Sequence, residues 1–255
     1  MIPTVTHALV RRPGENFCDG VTTADLGRPD YAAVLAQHAA YCDALQQAGV
    51  AVTVLDADER FPDGVFIEDA AVVVEACAVI ARPGAPSRAG EQHAVEEVLA
   101  AAKPIRRIEA PGTLDGGDVL RVGERFFIGL SKRTNEPGAQ QLADILTEQG
   151  YSIQTATVGG ALHLKTAVVA VNERTLLAAD ETADAAAFGG FDIIRVAPDE
   201  SYAANCLPVN GMLLVPEGFP KTAERLRSIG CDVREIDMSE FRKMDGGLTC
   251  LSLLW

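Results

Sequence analysis

Apolar and polar residues are distributed along this chain in blocks, and the blocks recur. Two closely spaced β-branched runs, over 70–74 and 77–81, precede a stretch over 91–102 with helical character and a short apolar run over 105–108. The same succession returns as runs over 118–122 and 125–128, a helix over 139–149 and a run over 152–157. It returns again as 166–171, 175–179, a short helix near 183–188 and 193–196. A fourth copy comprises 205–209, 211–215, a helix over 221–229 and 232–236. Gly150 and Gly230 directly follow two of these helices, where a left-handed residue commonly ends an α-helix. The unit is strand, strand, helix, strand, at a spacing of roughly 40 to 50 residues, within the range of repeat folds.

Neither end of the chain holds a whole unit. The chain opens with a strand over 4–10, a helix over 31–47 and a strand over 51–55, and it closes with a bare strand over 248–254. Joined, the two ends make a fifth unit. The expectation is therefore α/β: a five-bladed α/β propeller of ββαβ units with pseudo-fivefold symmetry, closed by the C-terminal strand, in one domain over 1–255. An open α/β sheet alternates the same elements. The ring is preferred because each terminus lacks what the other supplies.

Closure would bring the polar residues at the front of each unit's first strand into one central cleft. These are Glu68 and Asp69, Asp115 and Asp118, His163 and Lys165, Asn205, and Cys250. The segment Leu114-Asp115-Gly116-Gly117-Asp118 is echoed by Met244-Asp245-Gly246-Gly247 ahead of Cys250. Paired glycines permit close backbone approach or positive φ.

Composition narrows the partners. The 255 residues, 48% hydrophobic, suffice for a large core, and 22 basic against 36 acidic residues leave a net charge of −14. That balance disfavours nucleic acid and anionic membrane surfaces and is compatible with a cationic small molecule. The N-terminus lacks a basic region followed by an apolar stretch, and the most apolar segment, 70–81, is interrupted by Glu75 and too short to span a bilayer. A cytoplasmic location is expected. The six cysteines (Cys18, Cys42, Cys77, Cys206, Cys231 and Cys250) form no CxxC pair, so free thiols are expected rather than a zinc cage or disulfides.

Cys250 stands out among them because it follows a Gly-Gly turn and Thr249. A nucleophilic thiol needs access and help toward thiolate. His163, in Ala-Leu-His-Leu-Lys-Thr, is placed to be a general acid and base, whereas His38 and His93 lie on helices and read as surface or half-buried residues. Asp115 would complete a cysteine–histidine–carboxylate set, or serve as a turn residue before Gly-Gly. Loop arginines at 82–88 and at Arg133 could clamp a carboxylate, or be solvated surface.

At these residues the sequence closely resembles the dimethylarginine dimethylaminohydrolase family of the pentein superfamily. The resemblance rests on FPDGVFIEDAAVV (61–73), ARPGAPSRAGE (81–91), LDGGDVL (114–120), FFIGLSKRTNEPGA (126–139), LHLKT (162–166), SYAANC (201–206) and KMDGGLTCLS (243–252). It implies a five-bladed propeller and hydrolysis of Nω-methylated arginine to citrulline and an amine. It further implies that Cys250 is the nucleophile, His163 the acid and base, and Asp115 the group that holds the histidine. Asp69 would bind the guanidinium with Glu68 beside it, and Arg88 and Arg133 the α-carboxylate. Asp63 and the backbone near Met244 would receive the α-ammonium, Asp245 would lie beside the reacting centre, and Val21 would belong to a flap-like loop. Asp115 is a glutamate in part of the family, so the carboxylate–imidazole geometry is expected to differ there. The mechanism implied needs no metal and no cofactor, and it leaves homodimer formation open. Two other readings keep the scaffold: a deiminase or hydrolase of arginine or another ω-modified arginine, and a non-catalytic pentein such as the superfamily's ribosome-binding initiation factor. The second needs neither Cys250 nor His163 and sits poorly with the negative charge.

Overall fold

The computed structural model describes residues 4–179 and 187–255. The apolar runs form five separate three-stranded sheets. Blade 1 contains β1 (His7–Arg11), α1 (Tyr31–Gln47) and β2 (Ala51–Leu55). Blade 2 contains β3 (Ala71–Val73), β4 (Ala78–Ile80), α2 (His93–Ala100) and β5 (Ile105–Arg107). Blade 3 contains β6 (Val119–Val122), β7 (Arg125–Leu130), α3 (Glu136–Glu148) and β8 (Ser152–Thr157). Blade 4 opens with a single turn, α4 (Leu164–Ala167), and continues with β9 (Val168–Ala170), β10 (Thr175–Ala179) and β11 (Asp192–Val196). Blade 5 contains β12 (Leu207–Val209), β13 (Met212–Pro216), α5 (Pro220–Ser228) and β14 (Asp232–Ile236). A last turn, α6 (Ser239–Arg242), leads back to β15 (Leu253–Leu254).

In blades 2 to 5 the first two strands pair antiparallel and the second and third pair parallel. A parallel pair needs a crossover connection, which α2, α3 and α5 supply in blades 2, 3 and 5. Helix starts follow local chemistry. The Asp30 carboxylate accepts the N–H of Ala32 at 2.9 Å, and the Asn135 side chain accepts that of Gly138 at 2.9 Å. Gly150 and Gly230 take φ of 87° and 91° after their helices, as the sequence suggests. The short helix expected near 183–188 falls largely outside the described residues; Ala187 and Phe188 belong to a turn.

Blade 1 is completed by the far end of the chain. β15 pairs antiparallel with β1, with Ala8 opposite Leu254 and Leu9 opposite Leu253. The N–H groups of Thr6 and His7 donate to the Trp255 carbonyl at 2.9 Å, and Trp255 N–H donates to the His7 carbonyl at 3.1 Å. The apolar interior is divided accordingly. Each seam between neighbouring blades has its own buried cluster: Val79 with Phe126 between blades 2 and 3, Phe127 with Leu176 between 3 and 4, and Leu177 with Leu213 between 4 and 5. Leu214 and Tyr41 join blade 5 to blade 1, and Leu9, Leu253 and Ile80 join blade 1 to blade 2. Five seams close a ring.

The strands nearest the axis are shorter than the apolar pattern predicts. The expected strand over 248–254 reduces to Leu253–Leu254, and Cys250 lies in the 3₁₀ turn Thr249–Leu251 instead of opening that strand. Likewise, the runs expected from 70, 118, 166 and 205 begin in or directly after the turns Ile67–Ala70, Gly116–Asp118, Leu164–Ala167 and Pro198–Ala204. The pattern cannot distinguish the two because turn and strand are buried alike, so the apolar run continues through both.

Candidate active site

The five turns place one polar group after another around a common centre. Blade 2 brings Glu68 and Asp69, blade 3 Asp115, blade 4 His163 at the start of its turn, blade 5 Asn205, and the closing turn Cys250. Such convergence needs close backbone packing. A methyl group on Gly117 would stand 2.8 Å from Asp69 Oδ1 and 2.9 Å from the His163 ring. One on Gly116 would collide with the Glu68 carbonyl, one on Gly246 with the Phe66 ring, and one on Gly247 with Asn205. None of these four glycines has positive φ, so the Gly-Gly pairs serve proximity.

His163 is buried, with Nε2 3.0 Å from Asp115 Oδ2 and 3.9 Å from Asp69 Oδ1. Asp115 is itself oriented: its Oδ1 accepts the Gly84 N–H at 3.0 Å, and its own N–H donates to Thr134 Oγ1 at 3.1 Å. Asp118 accepts the Leu164 N–H at 2.9 Å and the Ser131 hydroxyl at 2.6 Å, which pins the backbone just after His163. Burial disfavours the imidazolium, but Asp69, the Asp115 hydrogen bond and Asp118 outweigh it and raise the His163 pKa to about 9. At neutral pH the ring carries a proton.

Asp69 is buried too, yet His163 and Arg88 hold its carboxyl down at about 2. Its oxygens accept Gly117 N–H at 2.8 Å and Arg88 Nη1 at 2.5 Å. The Cys250 thiol is pushed the other way. Burial and the nearby Glu68 and Asp69 carboxylates raise it to about 12, against the opposing Gly247 N–H, which donates to Sγ at 3.4 Å, and Lys165. At rest the site holds a thiol and an imidazolium. All six cysteines are free, Cys77 and Cys206 buried and the others half-buried.

Cys250 and His163 line a small cavity of about 30 Å³. Its lining holds three acids, Asp63, Asp69 and Asp245, and two arginines, Arg88 and Arg133, together with Met244 and Val21. Arg88 is held by Glu91 through two contacts, Nε to Oε2 at 3.0 Å and Nη2 to Oε1 at 2.6 Å. Arg133 is less satisfied. Its Nη1 is buried without a hydrogen-bond partner, 3.8 Å from Asp115 Oδ2. A buried guanidinium N–H left open is a ready donor for an anionic ligand. Asp63 accepts the Val21 N–H at 3.0 Å, and burial raises its carboxyl.

Asp245 takes φ of 57°, an unusual conformation for a residue with a side chain, and Asn or Asp tolerates it best. Its carboxylate accepts Thr23 N–H at 2.6 Å, Thr23 Oγ1 at 2.9 Å and Thr22 Oγ1 at 3.3 Å. The loop carrying Val21 is thus fastened over the cavity. A larger cavity of about 460 Å³ meets the small one at Leu162, Asp245 and Cys250.

Glu68 does not line the small cavity. It lies beside Asp69 in sequence but lines an axial cavity with Lys165 and Thr249. His38 also departs from expectation: it is buried, and burial lowers its pKa to about 4. Asp69, Asp115 and His163 bring ligand atoms within 4.8 Å of one another, close enough for a metal ion. Their donors are already engaged, however, by Arg88, Gly117, Gly84 and each other, and two cations balance the acids there. The residues missed by sequence reasoning are supports: Gly84 for Asp115, Ser131 for Asp118, Glu91 for Arg88. Only Glu91 carried a signal, its spacing of three from an arginine in Ser-Arg-Ala-Gly-Glu.

The ring and its centre define the chain as a pentein bearing a cysteine nucleophile candidate beside a histidine–carboxylate pair. A family model described as N,N dimethylarginine dimethylhydrolase, eukaryotic, matches residues 29–206. The chain is 46% identical to the N(G),N(G)-dimethylarginine dimethylaminohydrolase of Pseudomonas aeruginosa, over 97% of this chain and 98% of that one. It is 38% identical to the enzyme of the same name from Streptomyces coelicolor, over 96% and 95%. The crystal structure of the Pseudomonas aeruginosa enzyme, a cysteine-to-serine variant complexed with citrulline, superposes with a TM-score of 0.97 at 44% identity, covering 99% of this chain and 100% of that one. The chain belongs to the dimethylarginine dimethylaminohydrolase family.

Proposed function

We propose that the chain hydrolyses Nω-methylated arginines, asymmetric dimethylarginine and monomethylarginine, to citrulline and dimethylamine or methylamine. The observation that carries this reading is the single small cleft in which Cys250 and His163 stand between carboxylates and two arginines. A free amino acid with a guanidinium at its far end matches that charge pattern. Its α-carboxylate meets Arg133 and Arg88, its α-ammonium meets Asp63 and the backbone near Met244, and its guanidinium meets Asp69 and Asp245. Glu68 supports the site from the axial side rather than by contact. The citrulline bound in the Pseudomonas aeruginosa relative is the product expected here.

Guanidinium is a poor electrophile because its charge is delocalised. Carboxylates that fix its plane leave the central carbon open to sulfur from one face. The substrate's charge also favours the thiolate, a Coulomb effect that grows as water leaves the cleft. The thiol proton passes to solvent, Sγ attacks the central carbon, and a tetrahedral adduct forms. The imidazolium of His163 protonates the departing amine, leaving a covalent thiouronium on Cys250. The neutral ring then takes a proton from water, which attacks the same carbon, and citrulline departs as sulfur is released. At about 30 Å³ the cleft has room for about one water. The adjoining cavity of about 460 Å³, which shares Leu162, Asp245 and Cys250 with the cleft, offers the room that a substrate needs.

We also assign the chain a single domain over 1–255, a cytoplasmic location and a place in arginine metabolism. Among the described residues no helix is long and apolar enough to cross a membrane. The test is citrulline release from dimethylarginine, monomethylarginine and arginine. Preference for the methylated forms supports the proposal; arginine turned over as fast or faster would replace it with deimination.

A further inference from the structure

Beneath the nucleophile lies a polar network that none of the chemical steps uses. Lys165 Nζ meets Glu68 Oε1 at 2.6 Å, and both side chains are largely withdrawn from water. The other Glu68 oxygen, Oε2, accepts the Thr249 hydroxyl at 2.9 Å. Asn205 completes the ring of contacts. Its Oδ1 accepts the Thr249 N–H at 3.0 Å, and its Nδ2 donates to the Lys165 carbonyl at 2.8 Å and to Thr249 Oγ1 at 3.0 Å. The four residues come from the axial turns of blades 2, 4 and 5 and from the closing turn. Thr249, the residue they enclose, is covalently next to Cys250. Both its hydroxyl and its N–H are taken.

None of the four residues lines the small cleft, and of them only Asn205 reaches the larger cavity beside Cys250. Glu68, Lys165 and Thr249 line the axial cavity of about 320 Å³, a lining in which Cys250, His163 and Arg88 have no part. A withdrawn ion pair adds little to stability over an apolar pair of the same size. Its placement under the reactive turn therefore asks for another reason.

We propose that Glu68, Lys165 and Asn205 are positioning residues for the nucleophile: they clamp Thr249 from the axial side and so hold the Cys250 turn against the substrate cleft. The inference rests on Cys250 being the nucleophile. A charge effect accompanies the clamp. Glu68 and Asp69 repel a thiolate at Cys250, and Lys165 attracts it. His163 and Asp245 face the sulfur from the cleft, Arg242 stands in the adjoining larger cavity, and Tyr41 and Tyr202 are near enough to feel its charge. Lys165 and Glu68 act on the sulfur with opposite signs while holding one another. Loss of the lysine charge leaves Glu68 uncompensated and disfavours the thiolate. Loss of the glutamate charge leaves Lys165 uncompensated and favours it.

The test is the rate of Cys250 alkylation by iodoacetamide between pH 8 and 10 in the full-length protein, with the modified peptide identified by mass spectrometry. At a fixed pH between 8 and 10, Lys165→Met should slow the alkylation roughly tenfold, the equivalent of about one pH unit, and Glu68→Gln should speed it. The double variant should return close to the parent. Thr249→Val should lower kcat for citrulline release with little change in KM, and Thr249→Ser should restore it. Folded single variants that shift in the same direction, or not at all, would overturn the proposal. So would a Thr249→Val protein with parental kcat. If a single variant does not fold, the folded double variant and the Thr249 pair still decide. Alkylation reads the sulfur without any substrate, so a mistaken substrate assignment leaves this result standing, and the reverse also holds.

Discussion

Replacing Asp115 by asparagine removes one charge from the His163 pair and almost nothing else. The amide oxygen of Asp115→Asn can still accept the Gly84 N–H, now 3.0 Å from Oδ1. The amide nitrogen would face His163 Nε2, which lies 3.0 Å from Oδ2. A charge-assisted hydrogen bond of this kind is worth about 1.5–3 kcal/mol, which at 1.36 kcal/mol per unit corresponds to roughly one to two pH units. The His163 pKa should then fall from about 9 toward the unperturbed histidine range near ~6.5, with Asp69 and Asp118 still holding it partly up. The acid form of His163 is needed to expel the amine, so the alkaline limb of kcat for citrulline release should move down by the same one to two units. Loss of orientation should lower kcat itself by roughly a hundredfold. The assay is citrulline release from dimethylarginine between pH 6 and 10, with circular dichroism confirming the fold. A kcat within about threefold of the parent, with an unmoved alkaline limb, would refute the role given to Asp115. The same elevation has a stability consequence. A histidine whose folded pKa exceeds its unfolded value stabilises the fold fully below about 6.5 and loses that contribution as pH rises through about 9.

Arg133→Met should raise KM for methylated arginine about 10- to 100-fold with kcat little changed, because about 1.5–3 kcal/mol of charged hydrogen bonding to the α-carboxylate is lost; an unchanged KM in steady-state kinetics would contradict it. Gly117→Ala should lower kcat at least about tenfold without unfolding the chain, since its methyl would crowd Asp69 Oδ1 at 2.8 Å and the His163 ring at 2.9 Å. A fully active variant would mean those contacts are slack. Removing residues 251–255 takes away the buried Leu251 and Leu253, the Ser252–Tyr41 hydrogen bond at 2.7 Å and the Trp255 contacts with β1. At about 1.5–3 kcal/mol per buried leucine the loss approaches the stability of a whole domain. Denaturant titration should find the truncated chain unfolded, and a folded, active one would break the ring-closure argument.

The fold was largely legible because repetition reports topology even where single elements are ambiguous. The bounds 31–47, 51–55, 152–157, 175–179 and 232–236 are met to the residue, and β15 completes blade 1 as the two incomplete ends require. The axial turns were not legible. Ile67–Ala70 and Thr249–Leu251 are as buried as the strands after them, so hydrophobicity could not separate a 3₁₀ turn from an extended run. The site followed from the same logic. Asp69, Asp115, His163 and Cys250 meet because they occupy equivalent places in different blades. Glu68 shows the limit. A 3₁₀ turn sends neighbouring side chains in different directions, so adjacent acids face the cleft and the axis respectively. Gly84, which supports Asp115 from the neighbouring blade, acts through a contact across the ring that no local pattern encodes.

The central claim is that Cys250 carries the chemistry through a covalent intermediate. The most direct measurement is rapid acid quench of the enzyme turning over dimethylarginine, followed by mass spectrometry of the peptide holding residues 243–252. The account predicts a transient thiouronium adduct on Cys250, absent from Cys250→Ser, which should release no citrulline. Turnover with no adduct on that peptide, together with a fully active Cys250→Ser protein, would contradict it.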